Sequence, residues 1–180
     1  VLPLMFNSLL EGSQVDPRDV RLFRHRDAAA QSDGKPYELW RDSYDAFIAH
    51  QSRQSARTAK IIGHAKFWAS FVVTQREETL FVGLYEVCAR QPAIFSASRD
   101  GGHAKAETIV YELKERGELS ESIAKLTIDW GGALLPQVQR AETNDKQIAE
   151  LRYELEEGQS PGYLSFMKRL AEMRDLGARP

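Results

Sequence analysis

Apolar and polar residues alternate most cleanly over Phe67–Thr74, where Phe67, Ala69, Phe71 and Val73 oppose Trp68, Ser70, Val72 and Thr74. A period of two puts successive side chains on opposite faces of a strand. The polar run Gln75–Glu78 leads into Thr79–Val87, a second strand, and so short a connection predicts a hairpin. Val20–His25 has the apolar content of a strand with imperfect alternation. Thr108–Leu113, Ala124–Trp130 and a weaker Gln147–Tyr153 add further strands.

Helical spacing governs three other stretches. Met5–Glu11 predicts a short helix ended by Gly12. Pro36 suits a first helical turn, where its missing N–H costs nothing, and Tyr37–Gln51 follows it. Tyr37, Trp40, Tyr44, Phe47 and Ile48 then form one apolar stripe. Leu164–Leu176 closes the pattern through Phe166, Met167, Leu170 and Met173. Ala28–Lys35 and Gln91–Ala106 read as loops, each with a glycine-containing turn. Gln51–Ala59 holds no apolar residue larger than alanine and is expected as an exposed helical extension or a mobile basic loop.

Strands outnumber helices and most connections are short, which predicts an α+β fold: a curled, largely antiparallel sheet or partial barrel flanked by helices. At 180 residues the expectation is one domain. Its helical part spans about 1–60, its sheet-rich part about 61–155 and its last helix about 163–176. The single cysteine, Cys88, excludes an internal disulfide and a cysteine-based zinc site, and reads as a small core residue. No signal peptide and no run of about 18 apolar residues is present, so a cytoplasmic chain without membrane contact is the expectation.

Charge changes this picture more than composition does. The net charge is only −2, yet Ala46–Arg76 has no acidic residue and carries Arg53, Arg57, Lys60, Lys66 and Arg76 with His50 and His64. A second basic knot runs from Arg18 to Arg26, diluted by Asp16 and Asp19. Glu142–Glu157 is the reverse, with six acidic residues against two basic. Segregation of this kind fits an anionic partner, or simply a solvated face.

Candidate chemistry is sparse. The four histidines are scattered without metal-ligand spacing, so neither metal nor cofactor is expected. Ser165-Phe166-Met167-Lys168 matches a bare Ser-x-x-Lys pattern with no companion motif, and no phosphate-binding glycine loop occurs. Asp129 at a strand end reads either as the acceptor for the Gly131-Gly132 turn or as a pocket-rim hydrogen-bonding group. Trp68, Tyr85 and Trp130 bring one aromatic from each of three strands. They are either core or the walls of a concave face on which an extruded base would stack.

In order, several motifs resemble the N-terminal region of bacterial GIY-YIG nuclease family proteins: Asp16–His25, Trp68–Val72, Thr79–Tyr85, Leu126–Gly131, Gln139–Ala141 and the Pro161-Gly162-Tyr163 turn. The resemblance implies a recognition domain, with the nuclease module beginning only after the last helix. Gly83-Leu84-Tyr85 imitates the first catalytic tripeptide of that module, but no second tripeptide follows, so no catalytic residue is assigned. The leading expectation is a non-catalytic nucleic-acid domain, for DNA. Arg53, Arg57 and Lys60 would contact phosphates, Arg24 and Arg140 would assist, Trp68 would stack, and Tyr85, Asp129 and Trp130 are pocket candidates. The alternative is a regulatory domain that docks a protein partner through Glu142–Glu157 and the last helix. The oligomeric state stays open.

Overall fold

A computed structural model describes residues 3–26, 35–95, 106–155 and 163–178. The Ala28–Gly34 stretch, most of Gln91–Ala106 (His103 with it) and the Pro161-Gly162 turn lie outside the described residues. In chain order the elements are α1 (Phe6–Gly12), β1 (Val20–His25), α2 (Pro36–Asp42), α3 (Tyr44–Ser52), β2 (Arg53–Ser55), α4 (Ala56–Ile62), β3 (Phe67–Val73), β4 (Thr79–Phe95), β5 (Ala106–Arg116), β6 (Thr127–Ile128), β7 (Val138–Arg140), β8 (Ile148–Glu150) and α5 (Tyr163–Ala178).

The strands form one mixed eight-stranded sheet, curled into a half-barrel, so the fold is α+β. The order is β2-β5-β4-β3-β1-β7, with β6 on β4 and β8 on β6. Among the described residues only β1 and β3 run parallel. Strand β4 gives one edge to β3 and shares the other between β6, at Thr79 and Leu80, and β5, from Leu84 onward. A bulge between Ser70 and Phe71 bends the β3–β4 pair, as an unpaired extra residue does.

Four stretches differ from their sequence expectation. The helix expected over Tyr37–Gln51 breaks at Ser43, whose backbone leaves the helical region. Its halves pack on different partners, α2 on β3 and α5, α3 on β5 and β2, and a straight helix cannot serve both. The segment expected as an exposed extension, Gln51–Ala59, instead supplies edge strand β2 and the start of α4. Gln91–Phe95, expected as loop, continues β4, and Pro92 is tolerated there because β4 has only β5 beside it. Ala124–Trp130 is regular only at Thr127 and Ile128; a positive φ at Ala124 turns the chain while Phe81 still exchanges backbone hydrogen bonds with Ala124 and Leu126.

The buried hydrophobic residues form two clusters, the larger drawing on both faces of the sheet. The larger gathers Phe6 and Leu10 of α1, Trp40, Phe47, Phe71, Leu80, Val82, Trp130, and Phe166, Leu170 and Met173 of α5. The smaller holds Phe23, Ile62, Trp68, Tyr85, Tyr111 and Val138. Cys88 is exposed rather than core, because it sits at the bulge where β4 outruns β3. Among the described residues no helix is long and apolar enough to cross a membrane.

Candidate nucleic-acid interface

Helix α4 is short and held at both ends. Ser55 Oγ accepts the Thr58 N–H at 3.1 Å, and Arg21 Nε donates to the Ile61 carbonyl at 2.9 Å. Buried Arg21 thus bolts α4 to β1 while satisfying a carbonyl the helix end leaves open. This presents Arg53, Arg57 and Lys60, all exposed, on one side of the half-barrel.

Two grooves flank α4. One, of about 500 Å³, lies between α4 and the β4–β5 ribbon and carries Lys60, His64 and Arg90 over a floor of Ala59, Pro92 and Ile109. The other, of about 350 Å³, runs between Ile61, Leu135 and β7 and carries Arg140 and Lys146. Among the described residues no carboxylate lines either groove. The sequence pattern located Lys60 and Arg140 but missed Arg90, which reaches this face only because β4 runs on past Val87.

The remaining candidates are sited differently. Arg24 is buried: its guanidinium lies 5.0 Å from the Trp130 ring centroid, Nε donates to Gln137 Oε1 at 2.9 Å and Nη2 to the Ala133 carbonyl at 3.1 Å. It braces the 131–137 turn and is not turned toward a phosphate. Burial, and then Arg26, push its pKa down. Lys146 Nζ lies 4.7 Å from the same ring and donates to the Trp130 carbonyl at 3.0 Å. Asp129 Oδ1 accepts the Gly131 N–H at 3.0 Å, the turn role. Asp129 also lines, with Trp130, an open cleft of about 440 Å³. That cleft holds Glu77, Glu78 and Glu150 against Arg24 and Arg26. His64 opens into a different groove from Asp129, so no catalytic pair forms between them.

Trp68 is fully buried and stacks on Phe23 at 4.1 Å, so as folded it presents no face to an outside base. Tyr85 is opposite Trp68 in the β3–β4 register and equally buried, whereas Trp130 belongs to the other core. The three aromatics therefore do not share one face. The apolar side of α5 is also occupied, with Phe166, Leu170 and Met173 in the large core.

Around Trp68 and Tyr85 runs a buried polar network. Ser70 Oγ donates to Gln51 Oε1 at 3.0 Å. The Tyr85 and Tyr44 hydroxyls bond at 2.8 Å, and Tyr44 donates to Glu115, which fixes the order Tyr85 to Tyr44 to Glu115. Arg169 covers the Tyr44 ring at 4.0 Å and donates to the Trp40 carbonyl at 2.6 Å. Burial pushes both tyrosine hydroxyls up. Burial and the neighbouring His50 push His25 down to about 3, so its imidazole stays neutral at physiological pH. The Tyr85 ring folds back over Gly83, where an added Cβ would meet it at 3.0 Å; only glycine leaves that space. His25 Nε2, Gln51 Nε2, Trp68 Nε1 and Tyr111 OH are buried without a hydrogen bond. Such groups cost about 1–3 kcal/mol each, a burden that packing alone does not account for. Gln51 went unnoticed in the sequence although it lies four residues after Phe47, on the same helical stripe.

Comparison of the chain with protein-family models, curated proteins and solved structures gives no match. The reading of the site therefore rests on its geometry.

Proposed function

We propose that the chain is a non-catalytic nucleic-acid recognition domain, for DNA, that holds the phosphate backbone across α4. The observation that carries this reading is the pair of grooves on either side of α4, which present Lys60, His64, Arg90 and Arg140 and, among the described residues, no carboxylate. A polyanion gains from such a surface by releasing condensed counterions, whereas a face of mixed charge would repel part of it. Exposed Arg53 and Arg57 extend the same face. The resemblance of the sequence motifs to the front region of GIY-YIG nuclease family proteins supports the same class of partner.

Gel-shift titration of single- and double-stranded DNA at two salt concentrations tests the proposal. Binding at low salt that weakens as salt rises is expected. Arg57→Glu combined with Lys60→Glu is expected to lower affinity about tenfold or more, while Lys168→Glu on α5 leaves it unchanged. Absence of binding at low salt, or equal loss in both variants, overturns the reading.

A further inference from the structure

Of the six large hydrophobic residues exposed on the described surface, three gather beside the basic face: Ile61 on α4, and Leu134 and Leu135 on the turn between β6 and β7. Leucines exposed singly are ordinary and need no account, but these are grouped. Ile61 and Leu135 line the groove that presents Arg140. Leu134, beside Leu135 in the chain, is fully exposed, at 101% of its reference surface.

The turn that carries Leu134 is held from behind through four of its carbonyls. Buried Lys146 donates to that of Trp130 and buried Arg24 to that of Ala133. Gln137 Nε2 donates to the Leu135 carbonyl at 3.2 Å, and Gln139 Nε2 to that of Pro136 at 3.0 Å. Gly131 has a φ of +100°, and Leu135 Cδ1 would lie 3.0 Å from a Cβ added there, so the turn requires glycine at its start. Burying a cation costs free energy, and two of them brace a turn whose foremost side chain packs on nothing in its own chain. A side chain fixed in this way has little freedom left to lose when a partner covers it.

We propose that Leu134 is a wedge: with phosphates held along α4, it inserts between adjacent base pairs of a DNA duplex, partly unstacks them and bends the helix, while Arg140 holds a neighbouring phosphate. The charge around the turn selects this partner. Arg140 shares the groove with Ile61 and Leu135, Lys60 precedes Ile61 on α4, and among the described residues no carboxylate lines that groove. Leucine and isoleucine are among the side chains that unstack a base step, and the kinks they produce are about 20–90°. The cost is least at pyrimidine–purine steps, which kink easily. A membrane is the poorer match, since even a myristoyl chain by itself binds a bilayer only marginally, and one leucine offers far less apolar surface. This role rests on the nucleic-acid reading above and narrows the ligand to a duplex that bends.

A duplex with 2-aminopurine in place of adenine at its TA steps tests the wedge, because the analogue brightens when it leaves the stack. Saturating wild-type chain is expected to raise its fluorescence. The chain is also expected to bind a duplex with one mismatched pair about tenfold more tightly than the fully paired one, since part of the unstacking is then already done. Leu134→Ser is expected to abolish the rise and the preference while keeping the salt dependence of binding, which counts phosphate contacts. Leu134→Met is expected to retain all three. Both variants replace a fully exposed side chain and leave the packing untouched. Binding without a rise, a rise that survives Leu134→Ser, or binding of single strands alone overturns the wedge and leaves the phosphate reading intact. Leu134-dependent sedimentation with phosphatidylserine vesicles, with no rise on DNA, overturns the wedge in favour of a membrane. Failure to bind any DNA at low salt overturns both readings.

Discussion

In the larger cluster Phe6, Phe71 and Phe81 meet ring to ring at 5.3 to 5.8 Å, in company with Leu10, Leu22, Leu80 and Val82. In the smaller cluster Phe23, Trp68, Tyr85 and Tyr111 share their space with His25, Gln51 and Ser70. The large core has 26 buried hydrophobic residues and among their side chains leaves two indole N–H groups unpaired, those of Trp40 and Trp130. The small core has six hydrophobic residues and likewise leaves two of its own polar atoms unpaired, Trp68 Nε1 and Tyr111 OH. Apolar area removed from water drives folding, so the larger cluster carries most of the stability. The smaller cluster instead packs beside a buried hydrogen bond, from Ser70 Oγ to Gln51 Oε1.

The comparison breaks most readily in the large core. Phe71→Ala removes a ring that touches Phe6, Phe81 and Trp130, and is expected to cost about 3–5 kcal/mol. Urea unfolding measures it, and a loss near zero would mean that the large core does not dominate stability. A smaller effect separates the cores by pH. His25 has its pKa pushed from 6.5 down to about 3, so its contribution is complete above pH 6.5 and is lost as the pH falls toward 3. In that window the unfolded chain takes a proton that the folded chain refuses, and stability should fall by about 1 kcal/mol per pH unit. Unfolding of wild type and His25→Gln across the window checks this: the difference between them should shrink if His25 is the source, and a parallel pair of curves would exclude it. The smallest effect is expected at Gln51. Gln51→Leu removes an unpaired amide but strips Ser70 of its acceptor, so its stability should stay within about 1 kcal/mol of wild type. A loss as large as that of Phe71→Ala would make Gln51 a structural residue and erase the contrast.

Much of this architecture is legible in the sequence, and where it is not the reasons are physical. Val20–His25, Phe67–Val73 and the first part of β4 announce themselves because one face of each alternates with a distinct second face. The two faces do not differ as core and solvent, however, since both are buried over most of β1 and β3. That is why Trp68 and Tyr85 resembled pocket walls and core fillers equally well. Strand β2 and the far half of β4 were hidden because Arg53-Gln54-Ser55 and Cys88–Pro92 have no apolar alternation; they are strands by pairing with β5 alone. Gln51 escaped because a glutamine at a helix end reads as surface, and only its position in the stripe of Phe47 and Ile48 hints at burial. The basic run was plain, but its arrangement was not. Arg24 lies in the same kind of basic cluster as Arg57, yet β1 turns it inward onto Trp130 while α4 leaves Arg57 in solvent.

The pairing of β1 has a consequence for how the chain reaches this state. Its two neighbours are β3, reached over a crossover through α2, α3 and α4, and β7, which begins only at Val138. The first helix depends on residues later still, since the Phe6 N–H donates to the Lys146 carbonyl and the Asn7 side chain to that of Ala141. On a ribosome, then, α1 and one edge of β1 wait for partners made more than a hundred residues afterwards. Closure of long loops comes before the contacts that reward it, so a slow final step and transient exposure of Val20–His25 to chaperones are built into the order of the strands.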